Sequence, residues 1–282
     1  MTEPLFLLDD LADPLPITGA HIVLAGDEGR HAAVVRRIRP GEMIMIGNGR
    51  GLGIRGAVIE VRSSGLVVEV VNHLSSSSEP RCFVAAQALA KGDRSELAVE
   101  MMTEIGVSEI VPWQASRSIV RWSPERAARS LAKWRSAARE AAKQSRRLNV
   151  PQVSEPVDTR QLAQRAASAD LALVLHEEAQ ESIAEVDLPT AGTVLIIIGP
   201  EGGISAEELG ELTGAGARPA SISGGVLRTS TAGVVALAGL KLRREPRLCA
   251  LSPLPCALSL SKGAHPASFP WRHCQEVWAA RE

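Results

Sequence analysis

The chain has 282 residues and a formal net charge of −1, so any surface for nucleic acid must be local rather than chain-wide. It has no tyrosine and only 3% aromatic residues, which leaves little material for a platform that stacks single-stranded bases. Four cysteines (Cys82, Cys249, Cys256 and Cys274) make no disulfide framework and suit a reducing cytoplasm, and no apolar run approaches the roughly 20 residues of a membrane span. The opening MTEPLFLLDD has no basic segment followed by a long apolar one, so no signal peptide is expected there.

Residues 1–74 read as β-rich. Apolar and polar residues alternate at 43–46, 56–61 and 66–71, with glycine-rich turns between, a spacing that predicts a small barrel. Residues 27–39 (DEGRHAAVVRRIR) predict one short helix, with Val34, Val35 and Ile38 inward and Arg30, Arg36, Arg37 and Arg39 outward. GNGRGLG (47–53) resembles a nucleotide loop, but no helix follows it, and a mobile hairpin turn is the better expectation. A serine run at 75–78 with Glu79-Pro80 marks a linker.

Beyond the linker, strands and helices alternate. Strands are expected at 82–90, at Ile110-Val111 before Pro112, at 171–175, at 194–198 and at 220–222. Helices are expected at 95–105 (Ser95 as cap, Gly106 as stop), 124–147, from Ala206, and 231–243. This alternation predicts an α/β domain with a mostly parallel sheet over 75–244. The helix at 124–147 is the most basic piece. Between Arg117 and Arg147, ten Lys and Arg residues accompany only Glu125 and Glu140. Leu131, Trp134, Ala138, Ala141 and Ala142 supply its buried stripe, which leaves the cations on open faces that attract phosphates. After Arg244 the pattern is lost, and 245–282 reads as an irregular extension. Its Cys256, His265, His273 and Cys274 match no usual zinc spacing, so no metal is expected.

Two glycine loops organise the second domain. VLIIIGPEGGISAEE (194–208) is a β-branched run, a turn and a helix start with the Ser205/Glu208 capping box. A strand–glycine loop–helix junction presents unpaired N–H groups at the carboxyl edge of a sheet, where open α/β folds bind ligands. An ordinary tight turn has the same pattern. The loop is neither a Walker loop, lacking Gly-Lys-Ser/Thr, nor GxGxxG. SISGGVLRTSTAG (221–233) is built the same way.

The pair IGPEGGIS (198–205) and VLRTSTAG (226–233) resembles the loops of the RsmE family, 16S ribosomal RNA uridine-N3 methyltransferases of the SPOUT class. KGDRSELAVEMMTEIGVSEIVPWQASRS (91–118), EAAKQSRRLNVP (140–151), LVLHEEA (173–179) and GDEGRHAAVVRRIRPGE (26–42) extend the likeness over roughly residues 5–244. The family's second loop often reads LGxRILRTETA. Here Ser223, Gly225 and Ser230 depart from it, while Leu227, Arg228, Thr229, Thr231 and Ala232 match.

The resemblance implies a SPOUT-type trefoil-knotted sheet with helices on both faces, a PUA-like β-barrel at 1–74 that binds RNA, and a cytoplasmic homodimer with its pocket near the interface. It implies S-adenosyl-L-methionine as methyl donor and 16S rRNA or the small ribosomal subunit as partner, with no membrane role. Cofactor contacts are expected from Leu175, Gly199, Gly202, Gly203, Ile222 and Leu227, and catalytic roles from Arg228 and Glu201, with His176 and Glu177 as further candidates. Arg228 would steady the developing uridine anion, or pair with Glu201. RNA contacts are expected from Arg36, Arg37, Arg117, Arg139, Arg146 and Arg147. A ribose 2′-O methyltransferase of the same class and a non-catalytic rRNA-binding assembly factor are the alternatives.

Overall fold

The computed structural model describes residues 3–77 and 79–243; the extension expected at 245–282, with its Cys and His residues, lies outside them. The first sheet contains β1 (Leu5–Leu7), β2 (His21–Leu24), β3 (Met43–Gly47), β4 (Leu52–Arg62) and β5 (Gly65–Ser75), in the order β1-β3-β4-β5-β2. Its pairs are antiparallel except β1 with β3. Phe6, Leu24, Ile44, Ile46, Ile54 and Val68 fill its core. The alternation at 43–46 holds, with Ile44 and Ile46 buried and Met43 and Met45 half-buried.

Residues 27–39 are not one helix. A short α1 (Gly26–Arg30) passes into a π-helical turn (His31–Val35), and Arg37 takes a left-handed φ of 53°. The wider turn rotates the helix face relative to a 3.6-residue pattern. Ala32 and Ile38 are therefore buried, while Val34 and Val35, expected inward, are 58% and 65% exposed.

The second sheet is wholly parallel. It takes β6 (Arg81–Ala88), β7 (Glu109–Trp113), β8 (Gln152–Val153), β9 (Leu171–Leu175), β10 (Gly192–Ile198) and β11 (Arg218–Ala220) in the order β11-β9-β10-β6-β7-β8. Helices α2 (Arg94–Ile105), α3 (Pro124–Gln144), α4 (Thr159–Ser168), α5 (Ala206–Gly214) and α6 (Thr229–Leu242) cover it on both faces. Val194, Ile196 and Ile198 point into a core shared with α2, α3 and α6. Leu195 and Ile197 point into a second core shared with α4 and α5. This two-sided burial is why β10 is a continuous aliphatic run. Pro112 lies inside β7 rather than after it, where the ladder to β8 has only the pairs Glu109–Gln152 and Ile110–Val153. Asp93, not Ser95, stands at the head of α2; Ser95 is buried, with its hydroxyl bonded to the backbone of Ala90.

The stripe predicted on α3 is buried throughout, and Trp134 meets Trp122 edge to face at 5.3 Å. The helix ends at Gln144, three residues before the expected limit. Arg146 takes a left-handed φ of 56°, and the Arg147 N–H donates back to the Ala142 carbonyl at 2.9 Å.

The end of α3 is where the two sheets meet. The 47–53 loop is a docked element, not a mobile turn. Asn48 Oδ1 accepts from the N–H groups of Arg50 and Leu52 and fixes the loop from within. Gly51 N–H then donates to Leu148 O at 3.0 Å, and Val150 N–H to Gly49 O at 2.9 Å. Arg139 pairs with Asp9 at 2.8 Å and donates to Leu7 O. Lys143 lies between Glu28 (2.8 Å) and Glu140 (3.0 Å). Burial pushes the Lys143 ammonium toward neutrality, but the two carboxylates outweigh it and hold its pKa above the ordinary lysine value. Lys143→Met keeps the apolar stem and leaves Glu28 without its cation, so stability should fall by about 2 kcal/mol in urea titrations. An unchanged urea midpoint would mean that the pair adds nothing to the junction.

Candidate active site

In a parallel sheet all strands end on one edge, so the segments after β6, β9, β10 and β11 gather there. The loop after β10 has a separate reason for each glycine. A Cβ at Gly199 would stand 2.8 Å from Ile204 Cγ1, one at Gly202 would stand 3.0 Å from the Arg117 carbonyl oxygen, and Gly203 has φ 72°. The helix then starts as predicted at Ala206, with both halves of the Ser205/Glu208 capping box formed.

Glu201 does not pair with Arg228. Its carboxylate lies 3.7 Å from Arg94 and accepts a long bond (3.4 Å) from the Lys91 N–H, tying the β10 loop to the turn after β6. Arg228 is exposed and has no ion pair among the described residues. It stands at the head of α6, and its carbonyl accepts from the N–H groups of Thr231 and Ala232 at 2.8 and 2.9 Å. In the loop before it, the Ser223 hydroxyl donates to Gly225 O at 2.9 Å.

Leu175, Ile222 and Leu227 line one recess of about 70 Å³, together with His176, Glu177 and Ser223. That is room for about two waters. Gly199, Gly202 and Gly203 do not line it and shape the neighbouring loop instead. A larger groove of about 770 Å³ runs beside β8 between Arg135, Arg139 and Arg165, away from both glycine loops and lined by none of the expected cofactor residues.

Two further residues at this edge, Gln87 and Glu208, lie outside the site residues expected from the sequence. Gln87, at the end of β6 beside Ile198 and Pro112, is fully buried; Nε2 donates to Ala88 O and, at 3.4 Å, to Thr229 O, while Oε1 has no partner. A lone polar residue in FVAAQALA was the available signal. Glu208 does more than cap α5. Its carboxylate accepts from Ser116 N–H (2.8 Å), Ser116 Oγ (2.7 Å), Thr159 Oγ1 (2.8 Å) and Ser205 N–H (3.2 Å). Burial pushes its pKa up, but these bonds more than reverse the effect and leave it below the ordinary carboxylate value.

The six arginines assigned to RNA divide into distinct settings. Arg139 is committed to Asp9 and Leu7, and Arg147 lies against Gly106 with Nε donating to Glu104 O at 2.7 Å. Arg117 is exposed beside the Gly202 loop. Arg36 and Arg146 line a cleft between the two sheets, and Arg37 follows in an exposed turn. Among the described residues, no group of three His, Cys, Asp or Glu side chains could hold a metal ion, and no helix is long and apolar enough to cross a membrane.

Known proteins match this arrangement. The RNA methyltransferase domain family matches residues 77–241. The ribosomal RNA small subunit methyltransferase E of Mycobacterium bovis is 44% identical over 229 residues, covering 80% of this chain and 87% of that protein. The solved structure of ribosomal RNA small subunit methyltransferase E from Neisseria gonorrhoeae, bound to S-adenosyl methionine, superposes with a TM-score of 0.76 at 25% identity, covering 86% of this chain and 98% of that one. A methyltransferase from Legionella pneumophila, solved with the cofactor SAM, gives 0.75 at 29% identity, with the same coverage. With the family match spanning more than half of its length and both glycine loops on one sheet edge, the chain belongs to the RNA methyltransferase family.

Proposed function

We propose that this protein transfers a methyl group from S-adenosylmethionine to N3 of a uridine in the 16S rRNA of the small ribosomal subunit. The observation that carries the reading is the placement of the GPEGG and VLRTSTAG loops at the same edge of a parallel sheet, in a chain 44% identical over 229 residues to a protein named for small-subunit rRNA methylation. N3 itself rests on the likeness of the two loops to the RsmE family.

The residues present fit the cofactor. Gly199 and Gly202 let the loop pack closely on Ile204 and Arg117, Gly203 leaves open space where a side chain would stand and so room for an adenosine, and Leu175, Ile222 and Leu227 supply an apolar wall for the adenine. The recess of about 70 Å³ is too small for the whole molecule and would hold only part of it, beside the exposed 223–226 loop. The donor carries an already activated methyl group. The chain's tasks are then to align nitrogen, methyl and sulfur and to stabilise the uridine as N3 loses its proton. Arg228, exposed and without an ion pair, takes the second task. Glu201, fastened toward Lys91 and Arg94, orients the loop. At position 230, where the family often has an acid, a buried serine stands, so no base is assigned there.

In this reading 75–244 is a SPOUT domain whose C-terminal strands and loops form a trefoil knot, and 1–74 is a PUA-like barrel that holds RNA. The enzyme is cytoplasmic and works as a homodimer, a second copy covering apolar surface such as Val226, which is 79% exposed beside the recess. The test is methylation of small subunits isolated from a deletion strain, with mass mapping of the product nucleotide. The expected product is 3-methyluridine. A 2′-O-methyl nucleoside would replace N3 by ribose chemistry, and no binding of S-adenosylmethionine at millimolar concentration in calorimetry would leave a non-catalytic factor.

A further inference from the structure

The cleft of about 110 Å³ between the end of α3 and the first sheet takes residues from both halves of the fold: His31 and Arg36 from the first, Lys143 and Arg146 from the second. Its acids are already engaged. Glu3 is held by both Nε and Nη2 of Arg55, and Glu140 by Lys143. Arg36 and Arg146 have no ion pair among the described residues, although Arg146 lies close enough to help lower the Glu3 pKa, after the larger effect of Arg55. The cleft therefore has a cationic surplus and room for about three or four waters, or one phosphate group.

The backbone points the same way. α2 and α3 end alike, each with a left-handed residue followed by an N–H that donates back five residues, Val107 to Met102 and Arg147 to Ala142. In α2 the left-handed residue is Gly106, which adopts that conformation freely; in α3 it is Arg146, whose side chain opposes it. Arg37, next to Arg36, is the other non-glycine residue with positive φ among the described residues. Arg146 thus holds a strained position on the cleft wall itself, and Arg37 holds another directly after the cleft-lining Arg36.

We infer that this cleft is a phosphodiester clamp for RNA, in which Arg36 and Arg146 grip one backbone phosphate from opposite halves of the fold. The inference rests on the RNA-methyltransferase reading and sharpens it. The exposed α3 face is not the main contact, and Arg139, bound to Asp9, serves the junction that forms the cleft.

The test is fluorescence anisotropy with a fluorescein-labelled RNA hairpin over a KCl series, using the full chain. Arg36→Gln with Arg146→Asn removes both charges, and asparagine tolerates the left-handed backbone, so the melting temperature should not fall. The slope of log K against log salt should drop by about one, the amount expected for losing a single phosphate contact. Arg126→Gln with Arg129→Gln, at the far end of α3, should lower it by less than half as much. An unchanged slope in the first variant, an equal drop in both, or no salt-dependent binding by the native protein overturns the clamp. Calorimetry with S-adenosylmethionine on the same native sample keeps the two readings apart. Native protein that binds the cofactor but not the RNA refutes the clamp alone, whereas native protein that binds RNA with the expected salt slope but no cofactor refutes the methyltransferase reading and leaves the phosphate contact standing.

Discussion

Arg228→Ala is expected to lower kcat by about 10²–10³-fold while leaving S-adenosylmethionine affinity within about twofold. Arg228 is held by no acid among the described residues. Its backbone opens α6 and its carbonyl is engaged by Thr231 and Ala232, but Glu201, the acid nearest in function, is turned to Lys91 and Arg94. The guanidinium is thus left for substrate, next to Leu227 on the recess wall. Charge develops on the uridine ring only as the proton leaves N3, so a cation there acts in the transition state more than in the ground state. Arg228→Lys should recover part of the rate, since it restores the charge without the planar fork. Calorimetry separates binding from chemistry. A kcat close to that of the native enzyme, or a loss expressed wholly as weaker cofactor binding, would remove Arg228 from the chemical step.

The second large effect is on stability. Glu208→Ala should cost roughly 3 kcal/mol, because four donors from three segments lose a buried carboxylate together. The folded-state pKa lies below the ordinary value of 4.5, so the carboxylate contributes stability above about pH 4.5. That contribution is lost as pH falls through the lower, folded-state value. Urea titrations of native protein and Glu208→Gln should therefore differ near neutrality and converge in acid. A gap that stays constant down to the acid limit would show that the carboxylate's charge is not the source. Because Ser116 precedes Arg117, whose carbonyl packs against Gly202, the same change should also loosen the GPEGG loop and weaken cofactor binding.

Much of the site was readable because its signals are local. The capping box at Ser205/Glu208, the glycines at 199–203 and the apolar run of β10 each depend on neighbours within a few residues, and each is found where expected. Element limits were less legible. α3 stops at Gln144 because a Schellman turn closes it at Arg146, a position where arginine gives no warning of a left-handed backbone. The π-helical turn at His31–Val35 inverted the faces of Val34 and Val35, since a 3.6-residue pattern cannot foresee an inserted residue. The helix Thr159–Ser168, absent from the sequence expectation, also carries a capping box, Asp158 with Gln161, which is a local signal of its start.

By itself, then, the sequence determined the two glycine loops, the two-sided burial of the parallel sheet, the buried stripe of α3 and the family likeness. Each is written in short-range periodicity or in a motif. Only the tertiary structure decided which of the basic residues remain available. Lys143 meets Glu28 across 115 residues and Arg139 meets Asp9 across 130, and nothing in the local pattern distinguishes them from Arg36 or Arg146. Charge pairing depends on what folding brings within a few ångströms, whereas periodicity reports only which face of an element is covered.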